Sequence, residues 1–307
     1  MMETGKKGID RRTFLETGAC FAASGALLAD CGGKEDGLYD SLQNEIDLVS
    51  HVDYVGYLGD GNVRSLAALK RLDGVFDSVL SQVRSTKVSD PDRPAVWYVY
   101  NMGIVVKTVE RTFSIDLVHR RAAEFAPFLD FALITHNHDD HWRHGFYDAM
   151  NSAGKTVVSN FLDNYGVRGK KGIGGFTRAA KTFTLGDVAV KTGLTDHNAY
   201  LADFTSFFEV HVGKFTIFHS GDCSNSSKLV FTRRPDLWIV HPYCGMDVPK
   251  AAAESVKPER VVIAHLQELG HAKDRWRWTY ADGMKVKTGL AEAGIDSVMP
   301  VWGERIA

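Results

Sequence analysis

The chain has few cysteines, almost no net charge, no internal repeat and no phosphate-binding glycine signature. Of four cysteines in 307 residues, Cys20 and Cys31 fall in the first thirty-one, which leaves Cys223 and Cys244 for the rest. Two cannot staple a disulfide scaffold, and neither has the Cys-x-x-Cys spacing of a structural zinc or redox site. Both are read as buried free thiols close to strand ends. A formal net charge of -2 supplies no basic field to attract nucleic acid, and the nearest basic cluster is the short run Arg168-Gly169-Lys170-Lys171. The glycine- and lysine-rich residues 166–175 lack the Gly-x-x-x-x-Gly-Lys-Ser/Thr order, so they are read as a mobile surface loop rather than a nucleotide site.

The apolar run over residues 18–29 is too short for a bilayer span, which takes about 20 residues. Lys6, Lys7, Arg11 and Arg12 precede it, so residues 1–31 read as a signal segment. Arg11-Arg12-Thr13-Phe14-Leu15 resembles the twin-arginine export signal, which implies the bacterial export machinery as a partner and a periplasmic location. Leu28-Ala29-Asp30-Cys31 is similar to a lipoprotein box that would anchor the chain to a membrane by lipid on Cys31. Asp30 replaces the expected small residue, so simple cleavage and an uncleaved anchor stay open.

What is present is an ordinary globular composition, 44% hydrophobic and 24% charged. Residues 36–90 read as a helical extension. Leu38, Leu42, Ile46 and Val49 mark one helix over 38–49, and Val63, Leu66, Leu69, Leu72, Phe76, Val79, Leu80 and Val83 mark another over 63–83. A turn over 56–61, with Asp60 or Asn62 as cap, separates the two helices. The extension packs on the main domain or serves as a lid, with packing the preferred reading. After the turn-rich Ser89-Asp90-Pro91-Asp92-Arg93-Pro94 the periodicity becomes strand-like, and a main domain is placed at 95–307. Strands are expected over 96–100, 103–106, 112–116 and 155–158, with helices over 119–129 and 145–151.

One pattern then repeats: an apolar strand followed by metal-ligand residue types. Phe131-Ala132-Leu133-Ile134 leads into His136, Val188-Ala189-Val190-Lys191-Thr192 into Asp196-His197, and Phe215-Thr216-Ile217-Phe218 into His219 and Asp222. Leu237-Trp238-Ile239-Val240 leads into His241, and Val261-Val262-Ile263-Ala264 into His265. Buried runs ending in polar loops describe a sheet whose site lies beyond the carboxyl ends of its strands. The densest junction is Thr135-His136-Asn137-His138-Asp139-Asp140-His141. So many imidazoles and carboxylates side by side are costly unless a borderline-soft divalent cation uses them.

The order His136-x-His138-x-Asp140-His141, then His197, Asp222 and His265, resembles the metallo-β-lactamase fold hydrolases. The likeness runs from about Val96 to the C-terminus. Ser220-Gly221-Asp222, Pro235-Asp236-Leu237 through Met246-Asp247, and Val262-Ile263-Ala264-His265 look like the branch of ascorbate-phosphate lactonase and N-acyl-ethanolamine phospholipase D. The resemblance implies an α/β fold, a four-layer αββα sandwich, here with the helical extension. It also implies two divalent ions, zinc with manganese or iron as alternatives. His136, His138 and His197 would hold one ion, Asp140, His141 and His265 the other, and Asp222 would bridge them.

Such a pair shares a hydroxide and suits cleavage of an ester, lactone or phosphodiester bond of a small-molecule or lipid-like substrate. Asp140 has a second candidate role, orienting that hydroxide or taking its proton. His241, ahead of His271, is the candidate leaving-group acid. Two rivals stand: an iron-dependent redox protein on the same fold, disfavoured by His138 where the di-iron flavoproteins carry a carboxylate, and a non-catalytic metal-binding protein. His51, His119, His144, His211 and His219 read as surface or satisfied core histidines. Arg275, Trp276, Arg277 and Trp278 read either as a rim for an anionic or lipid-like substrate or as a surface strand.

Overall fold

The computed structural model describes residues 35–59, 66–161, 172–174, 176 and 179–307. The signal segment 1–31, the candidate caps Asp60 and Asn62, and most of the glycine-rich loop lie outside those residues.

Among the described residues three helices, not two, precede the first strand: α1 (Glu35–Ile46), α2 (His51–Gly59) and α3 (Ala67–Ser85). The helix that glycine spacing disguised as a turn is α2, and its signal was a capping box. Ser50 Oγ accepts from Asp53 N at 3.1 Å, while Asp53 Oδ2 accepts from Ser50 N at 3.0 Å. Two backbone donors at the helix start are satisfied reciprocally. Leu69, Leu72, Phe76, Val79 and Val83 of α3 are fully buried, each worth about 1.5–3 kcal/mol as an upper estimate.

Two sheets follow. The first takes β1 (Ala95–Tyr100), β2 (Gly103–Lys107), β3 (Thr112–Ile115), β4 (Phe131–Ile134), β5 (Thr156–Ser159) and β6 (Gly172–Ile173) in that spatial order. It is antiparallel through β3 and parallel afterwards. The second runs β13 (Asp296–Val298), β12 (Arg260–Ile263), β11 (Leu237–Val240), β10 (Phe215–His219), β9 (Thr205–Val212), β8 (Val188–Thr195) and β7 (Lys181–Leu185). Buried side chains of both sheets form one apolar core. Outside it, α3 packs on β1, α4 (His144–Ser152) on β5, and α6 (Tyr280–Glu292) on β12 and β13; the four-residue α5 (Val248–Ala251) lies against α6. This is the expected α/β arrangement of helices around two sheets.

The second sheet explains why ligand-type residues gather at one edge. β10, β11, β12 and β13 are parallel, and β9 is antiparallel to both β8 and β10, so β8 points the same way as β10. The carboxyl ends of β8, β10, β11 and β12 therefore share one edge. The strand between them, β9, is masked in sequence because Glu209 and His211 interrupt its apolar run. Glu209 is buried, and its carboxylate accepts from Thr232 N at 2.7 Å, Thr232 Oγ1 at 2.7 Å and Arg233 N at 2.9 Å. Burial raises its pKa, but the hydrogen bonds from His211, Thr232 and Arg233 outweigh that and hold it at about 2.

Two local readings change. Residues 119–129 form a 3-10 helix only over Ala122–Phe128, because Pro127 sits inside it and cannot donate. Residues 275–278 do not form a strand, and only Arg275 and Trp276 stay at the surface, Trp276 at 56% exposure. Arg277 is buried and donates to the carbonyls of Val49 (2.6 Å), Leu269 (2.8 Å) and His271 (2.7 Å), while Trp278 stacks on Tyr243.

The helical extension is tied to the main domain at several points. Tyr39 donates to Met299 O at 2.7 Å, and Arg120 forks onto Asp73 of α3 at 2.6 and 3.0 Å. Tyr54 and Tyr57 of α2 turn inward, Tyr54 against Tyr100 of β1 with ring centroids 6.0 Å apart. The extension thus walls the loop that follows β12.

Candidate metal centre

The site is built from Asp116 outward. This fully buried carboxylate follows β3, accepts from Thr135 N at 2.8 Å and Thr135 Oγ1 at 2.7 Å, and lies 2.8 Å from His141 Nδ1. A carboxylate there keeps a proton on His141 Nδ1, so Nε2 is the nitrogen that faces inward as a candidate ligand. Thr135 Oγ1, its own proton given to Asp116, accepts from His136 Nδ1 at 3.0 Å. His136 is thereby set in the same tautomer, with Nε2 also facing inward.

Around these two rings the structure assembles the seven residues named as candidate metal ligands. His136, His138 and His197 form one group, and Asp140, His141, Asp222 and His265 another; within each group ligand atoms lie within 4.8 Å of one another. His136 Nε2 is 3.1 Å from His138 Nδ1. Asp140 Oδ2 lies 3.0 Å from His265 Nε2 and 3.4 Å from His141 Nε2. Asp222 stands between the groups. Its Oδ2 is 3.3 Å from His197 Nε2 and 3.6 Å from His265 Nε2, and its Oδ1 is 3.2 Å from His141 Nε2.

Burial and charge set the protonation pattern. Burial, reinforced by the charge of His141, holds His136 well below the usual imidazole range, and burial with His197 does the same more mildly to His138. For Asp222, burial favours the neutral form, but His141, His265 and His241 outweigh it and keep the carboxyl well below its usual range. Asp140 follows the same logic through His141 and His265.

The residues fit a cation. His141 Nε2, His197 Nε2 and Asp222 Oδ1 are buried with no hydrogen-bond partner, where such atoms are ordinarily satisfied. Burial lowers the pKa of His141 and His265, but Asp222 and Asp140 outweigh it and hold both above the usual imidazole range, so a divalent cation would displace their protons. Imidazole nitrogens and ionised carboxylates converging in this way form a donor set suited to zinc, manganese or iron.

No family model matches the sequence. Solved structures do share its fold. A novel metallo hydrolase from the archaeon Ignicoccus hospitalis, Igni18, superposes with a TM-score of 0.54 at 17% identity, covering 69% of this chain and 97% of its own. The metallo-β-lactamase fold protein YhfI from Bacillus subtilis gives 0.52 at 15%, covering 69% and 98%. This chain has the metallo-β-lactamase fold. CmlA, a diiron β-hydroxylase from Streptomyces venezuelae, gives 0.52 at 12%, with 69% of this chain matched to 54% of that one.

In the metallo-β-lactamase fold of this chain, the remaining candidates sit around the two groups. His241 stacks on His265 with centroids 3.9 Å apart, and its Nδ1 accepts from Tyr243 N at 3.0 Å, which puts its proton on Nε2. His271 lies 3.1 Å from the buried Glu268 carboxylate and 6.0 Å, ring to ring, from His265. His219 and His119 are buried and bonded, to Met102 O and to Tyr57 respectively.

Sequence reasoning missed three contributors and placed a fourth, Cys244, only as a buried free thiol close to a strand end. Asp116 also follows a strand and was open to the same pattern. Asn101 donates to Asp140 O at 2.9 Å and accepts from His265 N at 3.0 Å through its own carbonyl, a role no spacing reveals. Phe204 packs its ring 5.0–5.9 Å from His136, His138 and His197. Cys244 is half-buried rather than buried; its thiol donates to His197 O at 2.8 Å, and it forms a further group with His197 and Asp222.

Proposed function

We propose that the chain is a metal-dependent hydrolase with two divalent ions, zinc in the first instance, cleaving an ester, lactone or phosphodiester bond. His136, His138 and His197 would hold one ion, Asp140, His141 and His265 the other, with Asp222 shared. The observation that carries this reading is the set of buried, unpartnered donor atoms on His141, His197 and Asp222 between the two groups. Bound there, divalent ions supply Lewis acidity and bring a water's pKa toward neutrality.

The chain's own residues supply the rest. Asp116 and Thr135 fix the tautomers of His141 and His136, and Phe204 keeps water off the three-histidine side. Asp140 Oδ2 is placed to take a proton, and the His241 Nε2–H can donate a hydrogen bond to a leaving oxygen. Export through the twin-arginine route, with Cys31 as a lipid anchor, belongs to the same proposal and rests on residues 11–15 and 28–31.

Metal analysis of the purified chain should find about two ions per chain. His197→Ala should lose one and His265→Ala the other, and a wild type that binds none would sink the reading. The diiron hydroxylase among the structural neighbours supports an iron-dependent oxidation as a second reading. Oxygen uptake by the iron-loaded chain without hydrolysis of any ester, lactone or phosphodiester would select it.

A further inference from the structure

Four large apolar side chains stand in solvent on α2, the turn before it and the loop that follows β12. Leu48, Val52 and Val55 are 70%, 77% and 52% exposed, and Trp276 is 56% exposed. Val52 and Val55 lie about one turn apart on α2 and Leu48 in the turn before it, while Tyr54 and Tyr57 face inward. Trp276 belongs to the loop lying against that helix. Arg277 Nη1 donates to Val49 O, Lys273 pairs with Asp47 at 3.2 Å, and His51 Nδ1 contacts Gly270 O. The loop bearing Trp276 is therefore packed against the segment bearing the three aliphatic side chains.

Trp276 also has φ +69°, a left-handed conformation that costs a bulky residue about 1–2 kcal/mol. Its neighbour Arg277, buried and triply bonded, holds the chain in that shape. The Trp276 ring lies 5.9 Å from that of His271, which is 6.0 Å from His265, so its loop adjoins the metal centre.

We propose that Leu48, Val52, Val55 and Trp276 form a contact for a lipid bilayer surface. Neighbouring charges suit this occupant: Asp47 is paired with Lys273, and the Arg275 guanidinium lies 4.1 Å over the Trp276 ring, an apolar body with a polar tip. A second copy of the chain is the weaker occupant, because four side chains fall far short of the about 800 Å² per partner that a stable dimer buries. The chain ahead of α1 also points to a bilayer. Its apolar run ends at Ala29, and Cys31 stands four residues before Glu35, so attachment there brings a membrane within about 14 Å of α1. If the hydrolase reading holds, an amphipathic substrate reaches the centre without leaving the bilayer. The bilayer contact itself does not depend on that reading.

The test is fluorescence quenching of the full-length chain by phosphatidylcholine vesicles with brominated acyl chains, compared between wild type and Trp276→Phe. Attachment through the N-terminus alone cannot quench this indole. Wild type should show a quenched component that Trp276→Phe lacks. The combined Leu48→Ser, Val52→Ser, Val55→Ser variant should lose it too, with circular dichroism, metal content and hydrolysis of a water-soluble ester unchanged. Equal quenching in wild type and Trp276→Phe overturns the proposal, as does a triple-serine variant still quenched at Trp276. Lipid-free dimerisation abolished by the triple change would assign the surface to self-association instead. Because metal content and hydrolysis are read separately, failure of the membrane contact and failure of the hydrolase reading stay distinct.

Discussion

Replacing Asp116 by Asn removes one charge and no volume, yet it should disarm both groups of ligands. Asp116 Oδ1 accepts from Thr135 N, so the variant's amide oxygen is drawn to that fixed donor. Its NH2 then faces His141 Nδ1 and Thr135 Oγ1, the two atoms that Asp116 Oδ2 holds at 2.8 and 2.7 Å. An NH2 donating to His141 Nδ1 moves the ring's proton to Nε2, where a cation should bind. Thr135 Oγ1, now an acceptor, turns its hydrogen to His136 Nδ1 and reverses that ring as well. Loss of such an orienting partner costs metal affinity about 10–100-fold, or about 1.4–2.8 kcal/mol. Competition with a chromophoric chelator measures it, with near-ultraviolet circular dichroism confirming an intact fold. Thr135→Val should weaken only the His136 group. Two ions held with wild-type affinity by Asp116→Asn would refute the tautomer argument outright.

Three further outcomes follow from other parts of the fold. His119 is buried, and burial pushes its pKa down to about 3, with Asp73 opposing and Arg120 and Arg121 assisting. An unfolded chain binds this proton below about pH 6.5 and the folded one only near pH 3, so stability is complete above 6.5 and falls by about 1.4 kcal/mol per unit below it. Between pH 6.5 and 5 the wild type should lose about 2 kcal/mol more than His119→Gln in urea unfolding; parallel losses would contradict this. Ser50→Ala breaks the capping box of α2 and should lower stability by about 1 kcal/mol, read as a shift in urea midpoint at constant slope. Lys228 joins Asp196 and Asp203 on the loop carrying His197, so Lys228→Met should weaken one bound ion and leave the other alone. Equal weakening of both would show that the clamp does not act through His197.

The ligand-bearing strand ends were legible in the sequence because each is a local event, an apolar run followed by a histidine or aspartate. What brings them together is not local: β8 aligns with β10 only through β9, whose buried Glu209 conceals it from any reading of hydrophobic pattern. The carboxylate is tolerated because Thr232 and Arg233, more than twenty positions on, supply its donors, and no window of sequence contains both sides of that exchange. α2 failed for the opposite reason. Its signal, Ser50 to Asp53, is entirely local, but Gly56 and Gly59 suggested a turn, and burial of Tyr54 and Tyr57 against the main domain outweighs the cost of about 1 kcal/mol for an interior glycine.

The candidate site divides in the same way. Residues that could meet a metal carry a chemistry visible in their type, whereas those that orient them, Asp116, Thr135 and Asn101, are ordinary residues made important by hydrogen bonds of 2.7–3.0 Å. Asp116 is the instructive case, since it follows β3 as His136 follows β4, and those strands are parallel neighbours. Adjacent parallel strands deliver their next residues to the same edge, so a carboxylate after one and histidines after the other must face each other. The pairing of Asp116 with His141 is therefore a consequence of sheet order, and it becomes predictable once β3 and β4 are known to be neighbours.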